Sequence, residues 1–243
     1  MSNFRRAPIP IQEQRRAWDQ WNSEARIDRL PEASQRQAEV VEATVAGLQR
    51  NDLSIIDVGC GTGWMCARLA RYGQVTGADF VDSTLEGARK RLPMVQFITG
   101  DIFQLDLPLQ SFDVAVSLEV LSHVADQSAF MARLTSLLKP GGTLILATQN
   151  RPVYERWGSV APPAPDRIRQ WVNASELKAL LVAYFERIRV SSVVPAGHQG
   201  YLRIVNSEKL NKLLSLVIPS RVIERAKEMA MLGNTLIAVA TKR

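Results

Sequence analysis

The 243-residue sequence predicts an α/β protein built on a largely parallel sheet that is covered by helices on both faces. Three observations support this fold class. From about residue 53 onward, short apolar runs alternate with amphipathic stretches, a pattern typical of strand–helix–strand units. The runs are almost continuously apolar, as expected of strands buried on both faces. The first run leads directly into a glycine-rich turn, GCGTG at 59–63.

The first half of this pattern predicts five strands and three helices. The strands are LSIIDVG (53–59), QVTGADF (74–80), MVQFITGD (94–101), FDVAVSLEV (112–120) and TLILATQN (143–150). Helices are predicted at 62–73, 83–92 and 127–142. Gly73 is expected to close the first helix and Pro93 to stop the second, while a Pro-Gly-Gly turn ends the third.

The second half continues the rhythm with one helix and two strands. The helix is predicted over 173–185, where Asn173 precedes ASELKALL and is a suitable N-cap. The two strands are ERIRVSSVV (186–194) and TLIAVATKR (235–243). The sequence therefore predicts a single domain over residues 1–243, with a first half at 51–150 and a second at 151–243.

Two regions lie outside the alternation. Residues 10–50 predict two helices with a break around Pro31, and residues 200–232 predict one or two amphipathic helices inserted before the last strand. In the insert, one apolar face lies opposite Lys209 and Lys212; it is formed by Leu210, Leu213, Leu214 and Val217. Packing of this face onto the domain is the favoured interpretation, and contact with a membrane surface is the alternative.

Composition limits the possible classes of protein. The formal net charge is +6, which favours anionic partners without choosing among them. No run approaches the roughly 18 apolar residues of a membrane span, and the N-terminus lacks the apolar region of a secretory signal. The only two cysteines, Cys60 and Cys66, have no metal-like spacing. We therefore expect a cytoplasmic protein.

The glycine turn predicts a ligand site at the carboxyl end of the first strand. A dinucleotide-binding G-x-G-x-x-G pattern would place glycine at position 64, where the chain has Trp64, and no P-loop pattern is present. Asp79 ends the second strand and can accept hydrogen bonds from both hydroxyls of a ribose. Asp101 ends the third strand and can accept from an adenine amino group. Together these residues indicate a nucleoside-like ligand.

Several ordered motifs resemble class I S-adenosylmethionine-dependent methyltransferases. They are DVGCGTG, the acidic residue of GADF, the GDI segment, FDVAVSLEVLSHV and the LKPGG turn, which together cover roughly residues 50–150. The resemblance implies a Rossmann-like sheet of seven strands with an antiparallel C-terminal strand. It also implies S-adenosylmethionine as the cofactor.

The resemblance assigns roles to residues at the glycine turn and the strand ends. Three glycines would approach the methionine part of the cofactor, Asp79 would bind the ribose and Asp101 the adenine. Ile102 would pack on the adenine ring, and Asp57 would support the glycine turn. The full set expected at the cofactor is Asp57, Gly59, Gly61, Gly63, Asp79, Phe80, Asp101, Ile102 and Glu119.

The only two histidines are the candidate catalytic bases for an alcohol or phenol acceptor. His123 follows the fourth strand in EVLSHV, and His198 lies in PAGHQGYLR after the sixth. A capping or pocket-lining role for His123 and a surface position for His198 are the alternatives. EVLSHV is similar to the EVLEHV of the ubiquinone-biosynthesis type, but Ser122 replaces the second carboxylate. Because hard cations need several oxygen ligands, we expect no metal.

The segment after the fifth strand is expected to border the acceptor pocket. Its side chains Arg151, Tyr154, Arg156 and Trp157 could bind an anionic or sugar-like group. Equally, the arginines could pair with acidic neighbours in a solvated loop. Trp18 and Trp21 lie three residues apart on a predicted N-terminal helix. They form either the core face of that helix, which is the favoured interpretation, or a lid over the cofactor.

The sequence predicts a methyltransferase that acts on a small molecule, with oxygen as the favoured atom for methylation. An N-methyltransferase and a non-catalytic cofactor-binding scaffold are the alternatives. A nucleic-acid acceptor is less supported, because no basic run interleaved with aromatic residues is present. A dehydrogenase is disfavoured by Trp64. The sequence leaves the acceptor and the oligomeric state open.

Overall fold

The computed structural model describes residues 10–24, 30–158, 160 and 167–243. Its centre is a seven-stranded sheet with the order β3-β2-β1-β4-β5-β7-β6. The strands are β1 (Leu53–Val58), β2 (Gly73–Asp79), β3 (Gln96–Thr99), β4 (Phe112–Leu118), β5 (Leu138–Gln149), β6 (Phe185–Pro195) and β7 (Gly233–Lys242). β1 to β5 pair in parallel, whereas β7 pairs antiparallel with β5 and β6. This arrangement confirms the predicted fold class.

Ten α-helices are present in the described part of the chain. They are α1 (Ile11–Glu24), α2 (Glu32–Ala46), α3 (Trp64–Leu69), α4 (Asp82–Arg91), α5 (Gln127–Leu137), α6 (Arg151–Tyr154), α7 (Ala174–Leu181), α8 (Tyr201–Val205), α9 (Glu208–Leu214) and α10 (Ser220–Met229). Short 3-10 turns follow α3 and β4. None of the described helices has the length and apolar character needed to cross a membrane.

The sheet separates two apolar cores. On one face, Val41 and Val45 of α2 pack with Met65 and Leu69 of α3. On the other face, the core includes Phe130 of α5 and many further side chains from α5 and α7. Burial on both faces explains why the central strands are almost continuously apolar.

Two predicted boundaries are wrong, both because strand pairing overrides the local signal. Gly73 does not close a helix; it begins β2 and pairs with Leu53. A Cβ at Gly73 would lie 2.0 Å from the Leu53 carbonyl oxygen, so the strand contact itself requires glycine. The predicted Pro-Gly-Gly turn belongs to β5, which begins at Leu138 directly after α5.

The strand directions bring several chain segments to one edge of the sheet. The carboxyl ends of β1, β2, β4, β5 and β6 meet the amino end of β7 there, since β7 runs opposite to its neighbours. A hydrogen bond from the Asn150 N–H to the Asn234 carbonyl, at 2.8 Å, ties β5 to β7 at this edge. This edge is where open α/β sheets bind ligands.

Candidate active site

The turn after β1 adopts a backbone that favours glycine at three alternate positions. Gly59, Gly61 and Gly63 have φ values of +75°, +51° and +75°, which side chains with a Cβ rarely adopt. A Cβ at Gly59 or Gly63 would also collide with the side chain of Val120 or Phe97. A Cβ at Gly61 would meet no protein atom within 4 Å. The open space beside the turn therefore lies at Gly61, whereas the other two glycines make room for protein side chains.

Asp79 holds the glycine turn at the end of β2. One carboxylate oxygen accepts a hydrogen bond from the Gly61 N–H at 2.9 Å, and the other accepts from the Val81 N–H at 3.0 Å. Burial raises the pKa of Asp79, and the hydrogen bonds from backbone N–H groups oppose that shift. A carboxylate has about four acceptor sites, so Asp79 retains capacity for ligand hydroxyls. Phe80 follows it and is partly exposed.

Asp57 lies behind the turn within β1. Its carboxylate accepts a hydrogen bond from the Cys66 thiol at 3.3 Å, and burial raises its pKa to about 7. Asp57 therefore links β1 to α3 from inside the core. Cys60 and Cys66 are both buried free thiols.

Asp101 and Ile102 lie just after β3. One oxygen of the Asp101 carboxylate accepts from the Phe103 N–H at 3.1 Å and forms a local turn. Its other oxygen makes no hydrogen bond within the described part of the chain. Ile102 packs against the core that contains Phe130, and its carbonyl accepts from the Arg133 guanidinium at 2.9 Å.

Glu119 lies directly after β4. Its backbone is strained and its carboxyl group is buried. Its φ is +62°, an uncommon value for a residue other than glycine. Oε1 accepts from the Gln37 amide at 2.6 Å and from the Thr235 hydroxyl at 3.1 Å. Oε2 is buried and has no partner among the described residues. Burial raises the pKa of Glu119 to about 7.

Two more acceptor oxygens are buried without a donor at the same edge. They are Oε1 of Gln149, at the end of β5, and Oδ1 of Asn234, at the start of β7; neither has a partner within the described residues. Because unpaired buried acceptors are costly, this edge is suited to a ligand that carries hydrogen-bond donors.

His123 lies in the 3-10 turn after β4, under the N-terminal helix. Its Nδ1 is 2.9 Å from the Ile168 carbonyl oxygen, which can only accept, so Nδ1 carries the proton and Nε2 is left as the acceptor. The ring of Trp18 from α1 packs edge-on against the imidazole, with centroids 4.6 Å apart. Burial lowers the pKa of His123, and nearby Arg169 and Arg167 act in the same direction. The imidazole is therefore neutral near pH 7.

His198 is placed differently. It lies on an exposed loop after β6, where its backbone N–H donates to the Arg156 carbonyl at 3.0 Å. Its side chain makes no hydrogen bond within the described part of the chain. The two histidines therefore differ in burial and in the number of groups that orient them.

The segment after β5 forms an aromatic cluster. Tyr154 of α6 lies between Trp157 and Trp171, with ring centroids 5.2 Å and 5.0 Å away. Burial raises the pKa of Tyr154 to about 12, and the nearby Glu119 carboxylate adds to the shift. Tyr154 and Glu119 are thus close enough to interact electrostatically at this edge.

Arg151 and Arg156 at this segment already have protein partners. Arg151 donates to Glu176 at 2.6 Å. Arg156 donates to the Pro152 carbonyl at 2.9 Å, and its guanidinium lies over the Tyr201 ring at 5.4 Å. Both side chains remain partly exposed, so they could still contact a ligand.

The site also contains residues that the sequence analysis does not single out. Gln37 and Thr235 hold Glu119, and Trp171 completes the aromatic cluster. The sequence contains one indication of the role of Gln37. This residue lies on the buried stripe of α2 with Val41 and Val45, where a polar side chain needs a hydrogen-bond partner. The sequence contains no such indication for Thr235. Among the described residues, no group of three or more His, Cys, Asp or Glu side chains is placed to hold a metal ion.

Comparisons with known proteins define the class. Residues 56–146 match a family model described as "Methyltransferase domain". A probable S-adenosylmethionine-dependent methyltransferase of Mycolicibacterium smegmatis is 35% identical over 130 residues, which are 52% of this chain and 49% of that protein. A ubiquinone biosynthesis O-methyltransferase of Rhodopseudomonas palustris is 36% identical over 114 residues, which are 45% of this chain and 43% of that protein. The chain thus spans about half the length of the curated relatives that it matches.

A solved structure supports the fold alone. The S-adenosylmethionine-dependent methyltransferase from Mesorhizobium loti superposes with a TM-score of 0.55 at 18% identity, covering 83% of this chain and 96% of that one. The sheet and its glycine turn define an α/β protein with a ligand site at the strand ends. Combined with the similarity of residues 56–146 to a methyltransferase domain, they support the resemblance to class I S-adenosylmethionine-dependent methyltransferases. The cofactor of that class is S-adenosylmethionine.

The residues present fit that cofactor. Gly61 faces open space beside the Asp79 carboxylate, which is the kind of acceptor that ribose hydroxyls need. The unpartnered Oε2 of Glu119 can accept a hydrogen bond from an ammonium group, which the methionine part of the cofactor carries.

Proposed function

We propose that the protein transfers a methyl group from S-adenosylmethionine to an oxygen atom of a small-molecule acceptor. The observation that carries this proposal is the state of His123. A neutral imidazole with its proton fixed on Nδ1 has Nε2 free to remove a proton from a hydroxyl group. The O-methyltransferase names of some sequence relatives, such as the R. palustris protein, point the same way.

The cofactor site in this proposal is formed by the glycine turn and the strand ends. When bound, S-adenosylmethionine supplies a methyl group on a positively charged sulfur. The residues proposed to form this site are Asp57, Gly59, Gly61, Gly63, Asp79, Phe80, Asp101, Ile102 and Glu119. Asp79 and Glu119 act through their acceptor oxygens, Gly61 through the space that it leaves, and Asp57 through support of the turn from behind.

The acceptor is proposed to bind between His123 and the aromatic cluster. Tyr154 and Trp157 offer flat apolar surfaces for a ring or a sugar face. Arg151 and Arg156 lie on the same segment and would favour an acceptor with an anionic group. His198 is retained as the second candidate base, on the loop that contacts Arg156.

An amine acceptor is the alternative, and one observation favours it. Tyr154 packs against the rings of Trp157 and Trp171, and such aromatic faces are suited to a cationic amine. An amine bound there would lose its proton to solvent before methyl transfer and would depend little on His123.

We also propose a cytoplasmic location and a small-molecule partner. Both cysteines are free thiols, as expected in a reducing compartment.

Loss of the His123 base tests the proposal. His123→Ala should lower the rate of methyl transfer to a phenol or alcohol by about a hundredfold or more, while calorimetry shows unchanged binding of S-adenosylmethionine. His198→Ala is the matched comparison and should have a smaller effect. The assay follows transfer of a labelled methyl group to panels of hydroxyl and amine acceptors. Transfer to amines that is indifferent to His123→Ala would instead establish the alternative.

A further inference from the structure

The insert between β6 and β7 exposes an unusual concentration of apolar side chains. Of the fifteen exposed large apolar residues in the described part of the chain, ten lie within 201–229. Neither α9 nor α10 contains a buried residue. The favoured interpretation of the sequence was that the face formed by Leu210, Leu213, Leu214 and Val217 packs onto the domain; it is wrong, because all four side chains are exposed.

The exposure is greatest where α9 and α10 meet. Four side chains there, which we call the apolar tip, are 64%, 78%, 87% and 55% exposed; they are Leu213, Leu216, Val217 and Val222. Every residue from 212 to 222 is exposed. Contiguous apolar patches of this kind mark interaction sites on proteins.

Exposed basic side chains, which we call the cationic rim, lie on the two helices that flank the apolar tip. Lys209 and Lys212 lie on α9, and Arg221 and Arg225 lie on α10; all four are exposed. Only two acidic residues, Glu208 and Glu224, accompany them within 207–226. An apolar surface with a cationic rim complements a bilayer that has an apolar interior and anionic head groups.

A second copy of the chain fits this surface less well. A symmetric dimer would place the same patch on both subunits and would bring the two cationic rims together. Like charges facing each other oppose such contact. The charge pattern therefore favours an anionic membrane surface as the occupant.

We propose that the apolar tip inserts into the interface of a membrane containing anionic lipids, with the four basic side chains at the head groups. The insert leaves β6 and enters β7 at the sheet edge that carries the candidate active site. Docking through the tip would bring that edge to the membrane. The proposal does not depend on the acceptor or on the atom that is methylated.

Vesicle flotation of the full chain tests this docking. Binding is expected to vesicles of phosphatidylcholine mixed with phosphatidylglycerol, to weaken with salt, and to be far weaker to phosphatidylcholine alone. Leu216→Asp combined with Val217→Asp should reduce binding by about tenfold or more. Lys209→Gln combined with Lys212→Gln should reduce it by a similar factor. The control is Leu109→Asp, which changes an apolar residue outside the insert that is 62% exposed.

Three results would overturn the proposal. The first is no flotation with the anionic vesicles, and the second is binding that the Leu216→Asp, Val217→Asp variant leaves unchanged. The third is a concentration-dependent dimer that the same variant dissociates, with no vesicle binding. Because all substituted side chains are exposed, circular dichroism should show that each variant folds like the parent protein.

Discussion

Burial dominates the chemistry of single residues at the candidate active site. It raises the pKa of the Asp57 and Glu119 carboxyl groups to about 7 and lowers that of the His123 imidazole. In each case the neutral form is favoured, as expected where water is excluded. The site therefore contains two carboxyl groups that titrate near neutral pH and a histidine that is ready to accept a proton.

Glu119→Gln should flatten the dependence of stability on pH. The pKa of this carboxyl rises from 4.5 to about 7, so between these values the folded state binds more protons than the unfolded state. Its contribution is complete below about pH 4.5 and is lost as the pH rises to about 7, by at most roughly 3 kcal/mol. Glutamine does not titrate and should remove this loss.

Urea denaturation at about pH 5 and about pH 8 measures the effect. Glu155→Gln is the control, because its side chain is 54% exposed. If the Glu119→Gln protein loses as much stability between the two pH values as the parent does, the assignment of the titrating group is contradicted.

Sequence alone could identify the residues of the turn but not their neighbours. The three glycines and Asp79 lie close together in the sequence, and the positive φ angles of the turn explain why glycine occupies its alternate positions. The partners of Glu119 depend on how α2 and β7 meet β4, which are far apart in sequence. The space beside Gly59 and Gly63 is likewise set by distant side chains, Val120 and Phe97.

At the level of elements, hydrophobic periodicity was sufficient to locate the strands. All seven runs predicted as strands form strands of the sheet. The predicted cap of α7 is also confirmed. The Asn173 side chain accepts from the Glu176 N–H, and the Glu176 carboxylate accepts from the Asn173 backbone N–H. Gly73 was predicted to end a helix because a glycine after a helical stretch is a common helix end; in the structure it instead pairs closely with Leu53 of β1.

Helix α1 controls the environment of His123 through Trp18. Trp18→Ala should expose the imidazole and raise its pKa toward the ordinary value of about 6.5. Trp18→Phe should keep most of the packing and give an intermediate value. Nuclear magnetic resonance of the histidine ring protons measures this directly, because the chain has only two histidines and His198→Ala assigns them.

An unchanged pKa of His123 in Trp18→Ala would mean that α1 does not exclude water from the base. The expected result would support a lid function for this helix rather than a purely structural one. The companion residue Trp21 lies in α1, but its side chain is outside the part of the structure that is described.

At the level of the whole molecule, the strand order lies beyond local patterns. Nothing in the periodicity distinguishes the order β3-β2-β1-β4-β5-β7-β6 from other arrangements of seven strands. The resemblance to class I methyltransferases implied the number of strands and the antiparallel last strand but not this order. The order matters because it brings β4, β5 and β7 together, and with them the unpaired acceptors of Glu119, Gln149 and Asn234.

The structure also shows which of the basic side chains are paired with acidic ones and which are exposed. A net charge of +6 favoured an anionic partner without locating it. In the structure, Arg151 is paired with Glu176, and Arg36 with Glu228. The exposed cations around the apolar tip are therefore a better place for an anionic surface to bind than the paired arginines are.

Calorimetric titration with S-adenosylmethionine tests whether the glycine turn and Asp79 bind the cofactor; it compares the parent protein with Asp79→Ala and uses NADH as the control ligand. We expect binding of S-adenosylmethionine to the parent, at least about tenfold weaker binding to the variant, and no binding of NADH. Absence of binding, or binding indifferent to Asp79→Ala while the variant remains folded, would contradict the assignment of the glycine turn and Asp79 as the cofactor site.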